Sequence, residues 1–265
     1  MEILNRLPEE KYVEIDDFLA FLGVHEDVKR LEAFKKNLGI FKGGVVVEAG
    51  AGLGELSSAI LEVVKPEKLY LVEENPIAYE VLRERFFSLD NVVVVRSLIE
   101  EWRPQESIDL LVQEFYGPLL YDESLDALNK LKFKVGKIFP NRGFLKYQVF
   151  PLSSLNDPTV NGKIWRKFEG VLISDIFWYF DDYRPCGTVL EWYEGKLRQN
   201  KVEIDPSKGD VLLFAVEVWH DDRKLCDPLI CPNWPFVFTP VAGKSFSLDF
   251  VYQDGFSEVV FRWVE

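Results

Sequence analysis

Histidine and cysteine are scarce in this chain, and their scarcity removes several kinds of chemistry at once. Two histidines, His25 and His220, are too few for a histidine-built metal site. The three cysteines, Cys186, Cys226 and Cys231, are odd in number and form no C-x-x-C pair. That argues against zinc and against a disulfide framework, and suits a reducing compartment. No apolar run approaches the roughly 20 residues needed to cross a membrane, and the first ten residues lack signal-peptide character. A cytoplasmic protein with no metal and no membrane association is therefore expected. Cations are in the minority: 31 Lys and Arg against 44 Asp and Glu leave a formal net charge of −13. Binding duplex nucleic acid needs clustered cations, so no such partner is expected. The acidity suits either solubility alone or a basic partner whose encounter it would speed.

What remains is a chain of 265 residues, 48% hydrophobic and 14% aromatic, enough for one large domain or two modest ones with a well-filled core. Residues 1–42 read as helical, with apolar positions at Phe18, Leu19, Phe21 and Leu22, then Val28, Leu31 and Phe34. From 45 to about 150, strands and helices alternate, the pattern of a doubly wound α/β sheet. Strands are expected at 45–48, 69–73, 92–95, 108–113 and 143–150, and helices at 55–64, 76–88 and 122–132. After 150 the texture changes to short alternating strands separated by turn chemistry such as Asp205-Pro206-Ser207-Lys208-Gly209, Ala242-Gly243-Lys244 and Asp254-Gly255. The expected organisation is an α/β domain over 1–150 and an antiparallel β-barrel or sandwich over 151–265. Neither repeats nor low-complexity segments occur.

The most specific signal is Val45-Val46-Val47-Glu48-Ala49-Gly50-Ala51-Gly52-Leu53-Gly54-Glu55. A buried strand runs into a glycine turn of the form E-x-G-x-G-x-G, and a helix opens behind it. Glycines at Gly50, Gly52 and Gly54 let backbone approach a ligand that side chains would block, and the helix start offers unpaired amides. Twenty-five residues past Glu48, the next strand ends in Glu73, whose carboxylate can accept both hydroxyls of a ribose. Together these point to an adenosine ligand; the alternative is a structural turn with no ligand. The dinucleotide fingerprint G-x-G-x-x-G is not met, because its third glycine position holds Glu55. An acid there would face a pyrophosphate, which is electrostatically poor, so the turn suits a ligand without phosphate. Glu55 also reads as a first-turn helix acid favoured by the dipole.

A second constellation follows the fourth strand. Gln113-Glu114-Phe115-Tyr116-Gly117-Pro118-Leu119-Leu120-Tyr121-Asp122-Glu123-Ser124 places two glutamates nine residues apart around an aromatic loop. Two carboxylates facing one pocket repel unless a cation bridges them, and a planar guanidinium pairs bidentately with carboxylate. The other reading is a helix cap and a surface charge.

The glycine turn resembles motif I of S-adenosylmethionine-dependent methyltransferases. The acidic loop resembles the double-glutamate loop of the protein arginine methyltransferases, S-E-W-M-G-Y-x-L-x-Y-E-S. Leu22-Gly23-Val24-His25-Glu26 is similar to that family's F-G-I-H-E, Ile99-Glu100-Glu101 to its V-E-E, and Gly136-Lys137-Ile138-Phe139-Pro140-Asn141-Arg142 to its entry into a barrel. The resemblance covers most of 18–150; beyond that it is one of architecture. It implies S-adenosyl-L-methionine as cofactor and a basic protein or peptide as substrate. Glu114 and Glu123 would be catalytic, holding the substrate guanidinium. Glu48, Gly50, Gly52, Gly54, Glu73 and Glu100 would bind the cofactor, with Glu73 on the ribose and Glu100 on the adenine. Tyr116 and Trp234 would line the substrate groove, although Tyr116 and Tyr121 could equally be packing residues. The resemblance also implies a homodimer.

The departures from the family pattern are specific. The family's first helix carries an acid and, three residues on, an arginine for the methionine carboxylate. Counting from His25 with a one-residue shift assigns Glu32 and Lys35. The covering element Y-F-x-x-Y has no counterpart, with Ile15, Asp16 and Leu19 in its place. The barrel's T-H-W corresponds to Pro232-Asn233-Trp234, so an amide that cannot act as a base replaces a histidine. Three functions are thus in view: an arginine N-methyltransferase, an enzyme of the same build acting on another amine or small molecule, and a cofactor-binding regulatory protein. The segment 155–185, with Val171-Leu172-Ile173 and Ile176-Phe177-Trp178, could bury against a partner or fold on its own barrel.

Overall fold

Val45–Ala49 (β1) and Lys68–Glu73 (β2) are apolar but for Glu48, Lys68 and Glu73, and are buried at every position after the first, the pattern of strands covered on both faces. In the computed structural model, which describes residues 9–155, 157, 159–174, 176, 177, 179–253 and 256–264, they pair in parallel at the centre of a five-stranded sheet. Val92–Arg96 (β3) flanks β2; Ile108–Gln113 (β4) and Val135–Phe139 (β5) continue the sheet on the other side, giving the order β3-β2-β1-β4-β5, all parallel. Helices Glu55–Val63 (α3) and Pro76–Phe86 (α4) make the crossovers between β1, β2 and β3. Two further helices, Glu9–Glu26 (α1) and Val28–Leu38 (α2), precede the sheet. The winding reverses between β1 and β4, and the carboxyl ends of strands at such a point are where open α/β sheets place ligands.

Two compact units result: Met1–Glu114 with Ala127–Pro140, and Phe115–Asp126 with Asn141–Glu265. Residues 142–150 do not complete the parallel sheet as expected; Val135–Phe139 does. The strand Arg142–Phe150 (β6) alternates half-exposed Arg142, Phe144 and Lys146 with buried Gly143 and Leu145. That period of two belongs to an antiparallel sheet rather than a doubly covered parallel one. The helix expected over 122–132 contracts to a short 3-10 stretch, Ser124–Asn129. Side-chain bonds compete with helix there: Asp122 accepts from the Leu119 N–H and Asp126 from the Tyr121 hydroxyl.

In the second unit, β6 pairs with Gly187–Tyr193 (β7) and Val211–His220 (β9); Lys196–Gln199 (β8), Arg223–Cys226 (β10) and Val237–Pro240 (β11) extend the antiparallel sheet. β9 is buried on both faces, and the two faces have different cover. On one, Phe214 packs against Phe246 and Phe261 of the hairpin Ser245–Gln253 (β12) and Phe256–Val264 (β13). On the other, Val211, Leu213 and Ala215 pack with Leu155, Trp165, Phe177 and Phe180. The aromatic content of 155–185 is therefore folded on its own sheet, and the Trp165 indole donates to the Asp210 carbonyl at 3.0 Å. Trp178 and the turn at Asp254-Gly255 lie outside the described residues.

Candidate functional site

The glycine turn leaves the carboxyl end of β1 with Gly50, Gly52 and Gly54 at φ of +69°, +53° and +87°, a region that side chains with a Cβ avoid. Gly54 is needed for space as well, since a Cβ there would stand 2.7 Å from Phe86 and 2.9 Å from Leu82 of α4. At Gly52 a Cβ would stand 3.9 Å from the ring of Phe21 on α1. An aromatic thus reaches the turn from a position that reading by sequence register missed.

Acids frame this turn. Glu73, buried at the end of β2, accepts from the Gly52 N–H at 2.9 Å and from the Asn75 N–H at 2.8 Å. Both oxygens are fixed by backbone donors. Glu48 accepts from the Ser57 hydroxyl, and burial pushes its carboxyl up to about 8; Glu55 and Glu73 add to the rise, Ser57 and Arg30 oppose it. Glu100 is half-exposed in the turn that follows β3.

The buried cation of α2 is Arg30, whereas the Lys35 expected from the sequence pairs with an exposed acid. The buried face of α2 is Arg30, Phe34 and Leu38, a spacing of four that marks one side of a helix. Lys35 is five residues from Arg30, roughly 140° round the helix, and pairs at 2.6 Å with Glu62 of α3. Arg30 is 5% exposed; one terminal nitrogen binds Glu114 and the other the Val24 carbonyl at 2.9 Å. Asp27 caps α2 by accepting from the Arg30 N–H. Burial lowers the guanidinium's pKa, while Asp27, Glu55 and Glu48 pull it the other way. The sequence carries Asp27-Val28-Lys29-Arg30, an acid and an arginine three apart, and counting from His25 with a one-residue shift passed over it. Glu114 Oε1 and Arg30 Nε are buried with no hydrogen-bond partner among the described residues.

The other site candidates belong to the second unit. Burial first and Asp122 second raise the Glu123 carboxyl to about 7, although the residue keeps solvent access; burial raises Asp122 to about 6. Tyr116 and Trp234 are not groove-lining residues. Tyr116 is fully buried, its ring edge-on to both Trp192 and Trp234, and Trp234 is buried too. Cys226 and Cys231 form a disulfide with Cα atoms 5.9 Å apart, contrary to the expectation that none would form; Cys186 is free and exposed. The bridge closes a turn of five residues, and short cysteine spacing of that kind carries little sequence signal. No cluster able to hold a metal occurs among the described residues.

Residues 23–138 match the family model described as PRMT5 arginine-N-methyltransferase. Protein arginine N-methyltransferase 6 of Danio rerio is 28% identical over 198 residues, covering 67% of this chain and 54% of that protein. Protein arginine N-methyltransferase 2 of Xenopus tropicalis is 29% identical over 127 residues, covering 45% and 29%. Over these stretches the chain is similar to protein arginine methyltransferases. Solved structures agree on the fold. A crystal structure of PRMT6-SAH matches at a TM-score of 0.67 and 12% identity, covering 91% of this chain and 99% of that one. The Trypanosoma brucei PRMT1 enzyme-prozyme heterotetrameric complex with AdoHcy matches at 0.57 and 15% identity, covering 86% and 84%. The chain spans about half the length, or less, of the relatives it matches.

Proposed function

We propose that this chain is an S-adenosyl-L-methionine-dependent methyltransferase that N-methylates an arginine guanidinium in a basic protein or peptide. The observation that carries the reading is Glu114, a largely buried carboxylate at the carboxyl end of β4, paired on one oxygen with Arg30 and, among the described residues, without a hydrogen-bond partner on the other. The open oxygen suits a second planar cation. The glycine turn and Glu73 suit the cofactor's adenosine, with Glu100 on its adenine. Arg30, whose Nε is likewise unpartnered, is assigned to its amino-acid carboxylate in place of Lys35. The cofactor supplies an electrophilic methyl group, so the protein's task is positioning and electrostatics. Glu114 and Glu123 would hold the guanidinium, localise its charge and leave one nitrogen nucleophilic. The relatives' names support this acceptor.

Asn233, at the place of the family's T-H-W histidine, favours a second reading in which the same build acts on another amine or binds cofactor without turnover. A homodimer and a cytoplasmic setting complete the proposal. Exposed apolar side chains, led by Phe87 at 85%, offer surface to bury in self-association. No helix among the described residues is long and apolar enough to cross a membrane. Radiolabelled methyl transfer to Arg-rich and Lys-rich peptides, with calorimetry of S-adenosylhomocysteine binding, tests the reading. Glu114→Gln should abolish transfer and spare cofactor binding; label on lysine, or undiminished activity in the variant, would refute it.

A further inference from the structure

Glu55 is the residue of the glycine turn to which neither cofactor nor acceptor gives a role. In the dinucleotide pattern a glycine follows Gly50 and Gly52 at this position, and the pyrophosphate rests on the helix start behind it. Here Glu55 is the first residue of α3, a nine-residue helix, at the positive end of its dipole.

A guanidinium and an imidazole from two other helices meet its carboxylate. Arg85 of α4 donates to Glu55 Oε1 at 2.5 Å, and His25 at the end of α1 lies with Nδ1 2.8 Å from the same oxygen. The Arg85 guanidinium is built into the turn itself. It also donates to the Leu53 carbonyl at 2.7 Å and to the Ser58 hydroxyl at 3.1 Å. Burial works to raise the Glu55 carboxyl, but the bonds from Arg85 and then His25 outweigh it and hold the group below the usual carboxylate range. Glu55 is therefore anionic at neutral pH. A helix start, a guanidinium and an imidazole converge on one spot, the donor set of a phosphate site, and a carboxylate of the chain's own already takes it.

We propose that Glu55 sets the class of ligand the turn admits: it closes the turn to phosphate-bearing nucleotides and leaves it open to an adenosine ligand that carries none. The proposal rests on the adenosine-binding part of the proposed function and is independent of the acceptor.

The test is calorimetry of the full chain with adenosine, S-adenosylhomocysteine and ADP. Wild type should bind S-adenosylhomocysteine and hold ADP no more tightly than adenosine. Glu55→Gln should bind ADP at least about tenfold more tightly than wild type does, because one adjacent negative charge is removed, with adenosine affinity unchanged. Adding Arg85→Gln should erase the gain, which a merely structural role for Glu55 would not produce. Glu55→Ala should repeat the gain if the Gln variant folds poorly by circular dichroism. A folded Glu55 variant with no gain overturns the proposal. So does a wild type that prefers ADP to adenosine, a result that needs no variant at all. Failure of wild type to bind either adenosine or S-adenosylhomocysteine would instead remove the cofactor reading, and this proposal with it.

Discussion

Replacing Arg30 with Met asks whether the buried charge pair in the first unit is organised as the geometry indicates. The substitution keeps the stem's volume and removes the guanidinium. It leaves Glu114, whose side chain is only 18% exposed, without its cation. Breaking a buried pair from one side costs about 3–5 kcal/mol, and losing the donor to the Val24 carbonyl adds about 1 kcal/mol. Residual solvent access at Glu114 reduces the first figure, so about 3–4 kcal/mol is expected. The double variant Arg30→Met with Glu114→Gln leaves no unpaired charge and should cost about 1–2 kcal/mol. Lys35→Met is the control: its partner Glu62 is 64% exposed, and such pairs contribute roughly 0–1 kcal/mol. Urea unfolding followed by circular dichroism at helical wavelengths reports on the unit that holds the long helices, and separating the units' transitions avoids a single ill-defined stability. An Arg30 variant no less stable than the Lys35 variant would refute the assignment. So would a double variant as unstable as the sum of its parts.

Two further outcomes follow from the turn. Glu48 titrates at about 8 when folded, raised by burial, against roughly 4.3 in an unfolded chain. Between those values the folded state holds more protons, so this group's stabilisation is complete below the lower value and is lost as pH rises through the upper. The slope is at most roughly 1.4 kcal/mol per pH unit; Glu48→Gln should flatten it in urea titrations between about pH 5 and 8, and an unchanged slope would sink the claim. Gly54→Ala combines a left-handed residue, costing about 1–2 kcal/mol, with a Cβ 2.7 Å from Phe86, costing about 1–3 kcal/mol more. A fall in melting temperature matched by lost S-adenosylhomocysteine binding is expected, and wild-type behaviour in both would show that the turn is not shaped as described.

The central parallel strands were legible because a doubly covered strand is written as a continuous apolar run, as at 45–47 and 69–72. The fifth was not, because Val135-Gly136-Lys137-Ile138-Phe139 is short and mixed, and its partners on β4 lie 27 residues away. At the site, Glu48, the three glycines and Glu73 were legible because turn geometry is local. Their bonds, Gly52 to Glu73 and Ser57 to Glu48, span 21 and 9 residues and follow from the βαβ unit alone.

By itself the sequence determined the class of turn, the acid that ends each strand around it, and the spacing of Glu114 and Glu123. These depend on backbone conformation and residue chemistry within a few positions. Tertiary structure alone decided which cation faces Glu114, since Arg30 and Lys35 differ only in the side of α2 they occupy, and burial chooses between them. It also moved Tyr116 and Trp234 from a groove wall to the interior. An aromatic side chain is suited to both places, and only the packing of Trp192 against it reveals which one it fills.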